Sequence, residues 1–108
     1  MVEIRKISEF TDILSKSEKI PIIIDFYADW CMPCRMLSPI IEKIEKKLDG
    51  KIKVLKVNVE EFPEISMKFE IMSIPTLVLI KGGKEIDRIV GLVSEAKILE
   101  WLKSHKII

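Results

Sequence analysis

An α/β fold with a mixed sheet is predicted for this chain, and three observations carry the prediction. Strand-like runs alternate with amphipathic helical patterns between Val2 and Val59, which is the arrangement of a βαβ unit with parallel strands. Two later strand-like runs are separated only by Lys81-Gly82-Gly83-Lys84, a connection too short for a crossover, so these two strands must form an antiparallel hairpin. The length of 108 residues and the 48% apolar content suit one domain, spanning 1–108, with its own core.

The elements follow in order. Val2 to Ile7 alternates as a first strand, and Ser8 stands where a helix cap belongs, ahead of an apolar stripe of Phe10, Ile13 and Leu14. Pro21 opens the β-branched run Ile22-Ile23-Ile24-Asp25-Phe26-Tyr27, which reads as a central strand buried on both faces. Only Asp25 breaks its apolar character. A helix should begin in the second half of Cys31-Met32-Pro33-Cys34 and reach about Leu48, burying Met36, Leu37, Ile40, Ile41, Ile44 and Leu48. Pro39 falls inside that pattern, where it removes a backbone donor and crowds the preceding turn, so a kink is expected there rather than two helices. Asp49-Gly50 ends the helix.

Lys51 to Val59 supplies the next strand and closes the βαβ unit, whose crossover should be right-handed. Phe62 to Phe69 forms a short helix with Pro63 in its first turn and Ile65 and Phe69 facing inward. Thr76 to Ile80 and Glu85 to Val90 are the hairpin strands. Ser94 caps a last helix that buries Ile98, Trp101 and Leu102, and the tail from Ser104 to Ile108 is expected to fray.

Charge narrows the functional classes. The formal net charge is +1 with 32% charged residues, and lysines alternate with glutamates instead of forming a basic stripe, so nucleic acid is not an expected partner. Met1-Val2-Glu3-Ile4-Arg5-Lys6 lacks the features of a signal peptide. The most apolar windows, Ile20 to Ala28 and Ile74 to Ile80, are about half the roughly 20 residues needed to cross hydrocarbon, so no membrane partner is expected. A cytoplasmic, reducing location follows. Met36, Met67 and Met72 read as packing residues, and His105 as a solvent-facing side chain whose positive charge would suit a helix end.

In a reducing compartment a pair of cysteines is more plausibly catalytic than structural. Cys31 and Cys34 are the only two cysteines, and two intervening residues give one thiol the reach to resolve a mixed disulfide formed by the other. Zinc would need four ligands, which two cysteines and the distant His105 cannot supply, so no metal is expected. A structural bridge closing so short a loop would constrain the unfolded chain by only about 2 kcal/mol. Asp25 is the second candidate, because a carboxylate buried in a strand loses hydration and its pKa should rise. Perturbed acids of this kind cluster at active sites.

Across nearly its whole length the chain resembles the thioredoxin family. The segment Asp25-Phe26-Tyr27-Ala28-Asp29-Trp30-Cys31-Met32-Pro33-Cys34 is similar to that family's active-site stretch, and Pro39, Ile74-Pro75-Thr76, Gly83 and Val90-Gly91 recur downstream at the family's spacing. The resemblance implies a thioredoxin fold: a five-stranded mixed sheet with four helices on both faces. It implies that Cys31 is the exposed attacking thiol at the start of the long helix and Cys34 the more buried resolving thiol. Unpaired helix amides and the positive dipole end favour a thiolate there, an effect for which thioredoxins themselves are a standing example. Asp25 would exchange a proton with Cys34, through water if needed, with Lys56 modulating its charge.

The resemblance further implies a cis bond at Ile74–Pro75, which the sequence alone would leave trans. Ile74 would then offer its backbone to an extended client segment, as in recognition by strand addition. Trp30, Met32, Pro33, Ser73, Pro75, Val90, Gly91 and Leu92 would form the apolar rim around it. The implied function is a monomeric thiol-disulfide oxidoreductase, a protein-disulfide reductase that transfers electrons in cell redox homeostasis. It would carry no bound cofactor beyond its redox-active disulfide, act on disulfide-containing client proteins, and be recycled by a thioredoxin reductase, NADPH- or ferredoxin-linked. A glutaredoxin-like carrier has no support beyond the shared fold. The alternatives are a non-catalytic binding module of the same fold and an oxidase or isomerase-like protein.

Three departures from the commonest family pattern bear on these implications. Met32 stands where glycine is usual, which leaves reduction potential and client preference open. Tyr27 replaces a common tryptophan and adds a hydroxyl that needs a partner. Glu70 replaces the glycine that often ends the third helix, and since a left-handed cap disfavours glutamate, that helix is expected to end differently.

Overall fold

A computed structural model describes residues 1–108. Its elements are β1 (Val2–Glu3), α1 (Ile7–Leu14), β2 (Ile22–Tyr27), α2 (Met32–Lys47), β3 (Lys53–Asn58), α3 (Pro63–Lys68), β4 (Thr76–Lys81), β5 (Lys84–Val90) and α4 (Glu95–Ser104). They form one five-stranded sheet in the order β1-β3-β2-β4-β5. β1, β3 and β2 run parallel, while β4 is antiparallel to both β2 and β5. No helix is long and apolar enough to cross a membrane.

Alternation along β2 divides the core. Ile22, Ile24 and Phe26 pack with Phe10 of α1 and Ile65 of α3 on one face of the sheet. Ile23 packs with Leu37, Ile41 and Ile44 of α2 and with Ile98, Trp101 and Leu102 of α4 on the other. Helices therefore cover both faces, and every residue from Ile22 to Phe26 is buried. Because side chains alternate, Asp25 shares the face of Ile23 and points toward α2.

Several expectations are corrected. β1 is two residues long, although Ile4 N still donates to Lys56 O at 2.9 Å and Ile4 is fully buried. Ser8 lies inside α1, whose cap position is Lys6; Glu9 reaches back to accept from Arg5 N at 3.1 Å. Met36 is exposed, because the buried stripe runs through Cys34, Leu37, Ile41 and Ile44 and Met36 lies one step off it. Met67 and Met72 are exposed as well, so neither is a packing residue. As expected, α2 continues through Pro39 as one helix.

Both later helix ends differ from expectation in the same way. After α3, Glu70 adopts φ +52° despite its side chain; its N–H donates to Met67 O at 3.0 Å, and Ile71 N donates to Ser66 O at 3.0 Å. This bond pair is the Schellman arrangement that glycine usually permits. Arg88 offsets the strain from β5: its Nη2 donates to Phe69 O at 2.8 Å while its Nε and Nη2 grip Glu85 at 2.6 and 2.7 Å. Glu70 also adds to the field that raises the Arg88 pKa, behind the Glu85 hydrogen bond that dominates it. A non-glycine residue in this region costs about 1–3 kcal/mol, and glycine's extra freedom in the unfolded chain returns part of that difference. Glu70→Gly is therefore expected to stabilise the fold by about 1 kcal/mol, read as a higher denaturation midpoint; a lower midpoint would show that the Glu70 charge outweighs the strain.

The tail does not fray. Lys106 takes φ +58°, its N–H donates to Lys103 O at 2.9 Å, Ile107 N donates to Leu102 O at 2.9 Å, and Ile107 packs on the α2–α4 core. His105 is not solvent-facing but partly covered: its Nε2 lies 2.7 Å from Asp87 Oδ2, which also accepts from Trp101 Nε1 at 2.9 Å. Those two hydrogen bonds, Trp101 first, hold the Asp87 carboxyl below its usual range.

Candidate active site

Cys31 occupies the cap position of α2, in extended conformation, so the first amides of the helix point toward its sulfur. Cys34 N donates to Cys31 Sγ at 3.3 Å. Pro33 fits in the first helical turn because the amide it lacks would have had no helical acceptor there. Cys31 and Cys34 are joined as a disulfide with their Cα atoms 5.3 Å apart.

The expectation of an exposed Cys31 beside a buried Cys34 needs correcting, since they retain only 4% and 2% of their accessible surface. What separates them is the side they face. Cys31 lines a groove of about 540 Å³, whereas Cys34 lines a cleft of about 550 Å³ on the other side of the motif. Bonded to Cys34, Cys31 Sγ carries no hydrogen, so its 3.9 Å approach to Ile74 O is a packing contact.

The groove has two walls. Trp30, Cys31, Met32 and Pro33 form one, and the segment from Ile71 to Ile74, with Val59 and Ser66 behind it, forms the other. None of these side chains is charged. The Ile74–Pro75 bond is cis, and Thr76 Oγ1 donates to Ser73 O at 2.7 Å to close the bend before β4. Of the rim inferred from the sequence, Trp30, Met32, Pro33, Ser73 and Ile74 line the groove. Pro75, Val90, Gly91 and Leu92 do not. They flank it: Val90 pairs with Thr76, Gly91 N donates to Pro75 O at 2.8 Å, and Val90 and Leu92 are exposed.

Sequence reasoning missed Val59, Ser66, Ile71 and Met72. Met72 is 93% exposed, and the available signal was its place between Ile71 and Ser73, just before the proline bend. The left-handed turn at Glu70 that brings this stretch to the groove was not expected of a glutamate.

Asp25 is fully buried, and neither carboxylate oxygen has a hydrogen-bond partner. Loss of hydration pushes its pKa up to about 7, against the pull of Lys56 and with a further push from Glu3. Lys56 stands beside it in register on β3, and its Nζ donates to Ser38 Oγ of α2 at 3.0 Å. Lys56 and Ser38 line the same cleft as Cys34. The Tyr27 hydroxyl has the partner it needs, donating to Glu3 Oε2 at 2.7 Å.

A cysteine pair that can close across one helical turn is equipped to pass two electrons, and the buried Asp25 is in register with Lys56, which lines the Cys34 cleft. Known proteins agree with this chemistry. The family model described as Thioredoxin matches residues 1–104. The chain is 48% identical to a thioredoxin of Rickettsia bellii over 89% of this chain and 90% of that one. It is 40% identical to thioredoxin 1 of a Nostoc species, over 91% and 95%. The solved structure of Fasciola hepatica thioredoxin superposes with a TM-score of 0.88 at 31% identity, covering 97% of this chain and 99% of that one. Fold, redox pair and relatives together place the chain in the thioredoxin family, as a disulfide oxidoreductase with a redox-active Cys31–Cys34 pair.

Proposed function

We propose that this thioredoxin reduces disulfides of client proteins in the cytoplasm, with Cys31 attacking, Cys34 resolving and Asp25 handling the proton. The Cys31 thiolate attacks one sulfur of the client disulfide, forming a mixed disulfide and releasing the other client sulfur as a thiolate. Cys34 gives its proton to the Asp25 carboxylate and, as a thiolate, attacks Cys31 Sγ, which releases the second client sulfur as a thiolate and leaves the Cys31–Cys34 disulfide. Two electrons pass to the client. A separate thioredoxin reductase returns the pair to the dithiol.

The observation that carries these roles is that the two cysteines line different cavities. Cys31 opens to the uncharged groove beside the Ile74 backbone, where an extended client segment can dock, while Cys34 opens to the cleft that holds Lys56. The raised Asp25 pKa supports a carboxyl that both accepts and releases a proton near neutral pH.

Limited alkylation of the reduced protein, followed by peptide mass analysis, tests the assignment alongside an assay on a protein disulfide. Cys31 is expected to be labelled first, and the wild-type protein to turn over with a supplied dithiol as electron source. Equal labelling, or labelling of Cys34 first, would overturn the roles. A Cys31–Cys34 reduction potential in the oxidising range of isomerase-like proteins would overturn the direction.

A further inference from the structure

Glu3, Lys56 and Asp25 form one row across three adjacent strands. Glu3 of β1 is in register with Lys56 of β3, and Lys56 is in register with Asp25 of β2. Residues in register on parallel strands project from the same face, so a lysine stands between two carboxylates. Such a lysine would be expected to bridge to the buried acid, because an unpaired charge in the interior is costly.

It does not. Both Asp25 oxygens lack a hydrogen-bond partner, and Lys56 Nζ instead donates to Ser38 Oγ at 3.0 Å. The ammonium also lies 4.2 Å from the centre of the Tyr27 ring, an attraction between cation and ring face. That ring is anchored from behind by the 2.7 Å hydrogen bond from its hydroxyl to Glu3 Oε2. Burial, reinforced by Glu3, keeps the phenol protonated well above its ordinary range, so it remains a donor at any working pH.

We propose that Glu3 is a positioning residue for the proton-transfer machinery, holding the Lys56 ammonium off Asp25 by way of the Tyr27 ring. Tyr27 is the residue that makes this possible, since its hydroxyl is what Glu3 grips. With Lys56 parked on Ser38 and the ring, the Asp25 carboxylate stays basic enough to take up the Cys34 proton. Released, the ammonium would move to Asp25, stabilise the carboxylate and weaken it as a base. The other charged groups on this side are the Met1 ammonium, which is paired with Glu45, and Asp29, Arg35 and Glu42; Met1, Asp29, Arg35 and Glu42 line the Cys34 cleft, and β4 contributes only the apolar Leu77 opposite Asp25.

The functional consequence rests on Asp25 being the proton-transfer group, so the test reads Asp25 directly as well as through activity. Side-chain carboxyl NMR of the reduced full chain follows the Asp25 titration, with a wild-type midpoint near 7. Tyr27→Phe keeps the ring but removes its anchor, and the midpoint is expected to fall by about 1 pH unit, the low end of the effect of a drawn-in opposite charge. Glu3→Gln should lower it too, and in both variants the pH profile of client reduction should move with the midpoint. If Tyr27→Phe leaves the midpoint unchanged or raises it, Glu3 acts at most as a distant charge and the positioning role is wrong. Asp25→Asn separates the two readings: an unchanged pH profile in that variant removes Asp25 from the mechanism, while the NMR midpoints still decide whether Glu3 positions Lys56.

Discussion

Cys34→Ser is expected to halt the protein after one covalent step, leaving it joined to its client through Cys31. The first attack needs only the Cys31 thiolate, which sits at the start of α2 with Cys34 N pointing at its sulfur. Release needs a second sulfur within reach, and an alcohol at position 34 stays un-ionised at neutral pH and cannot attack. Steady-state reduction should drop to the uncatalysed rate, and non-reducing electrophoresis should show one client per chain. Cys31→Ser should lose turnover equally but accumulate no adduct, because Cys34 faces the cleft rather than the groove in which a client can lie. Neither change threatens the fold, since the bridge closes a loop too short to constrain the unfolded chain by more than about 2 kcal/mol. Adducts formed equally well through Cys34 would reverse the assignment.

How much of this was legible depends on how locally each feature is determined. β2 runs from Ile22 to Tyr27 as expected, because an unbroken β-branched run after Pro21 has few alternatives to a buried strand. Ser94 caps α4 as read, its Oγ accepting from Lys97 N at 3.1 Å. The first strand and helix were misread where local preference was weak: Ile7 opens α1 instead of extending β1, which moves the cap position to Lys6.

The chemical centre was legible because Asp25 interrupts an apolar strand and the cysteines are the only pair. The cis Ile74–Pro75 bond was not, since composition favours trans; only the family resemblance supplied it. The groove's second wall was hidden for a different reason. Its position follows from a left-handed Glu70 whose preceding carbonyl, Phe69 O, accepts from Arg88, a contact between residues 19 positions apart in sequence that no local pattern reports. The Glu3–Lys56–Asp25 row was equally hidden, because it exists only once three strands are in register.

Asp25→Asn is expected to remove a large pH dependence of stability between about pH 4 and pH 7. In the unfolded chain the carboxyl titrates at its ordinary value of 3.8, but burial raises it to about 7 in the folded protein, with Lys56 opposing and Glu3 adding. Between those values the unfolded state releases the proton while the folded state retains it, so stability falls as pH rises through the window. Below about 4 the carboxyl is neutral in both states and costs nothing extra; above 7 it is charged in both, and the penalty is complete. A displacement from 3.8 to about 7 at roughly 1.4 kcal/mol per pH unit amounts to about 4 kcal/mol. The Asp87 and Glu95 carboxyls, held below their ordinary range, contribute in the opposite sense in acid, but they are common to both proteins and cancel in the difference. Denaturation at a series of pH values should show the variant gaining on the wild type from pH 4 to 7 and by a constant margin above. A constant difference across that range would mean that Asp25 titrates near its ordinary value when folded. The same substitution should slow client reduction near neutral pH, since an amide cannot take the Cys34 proton.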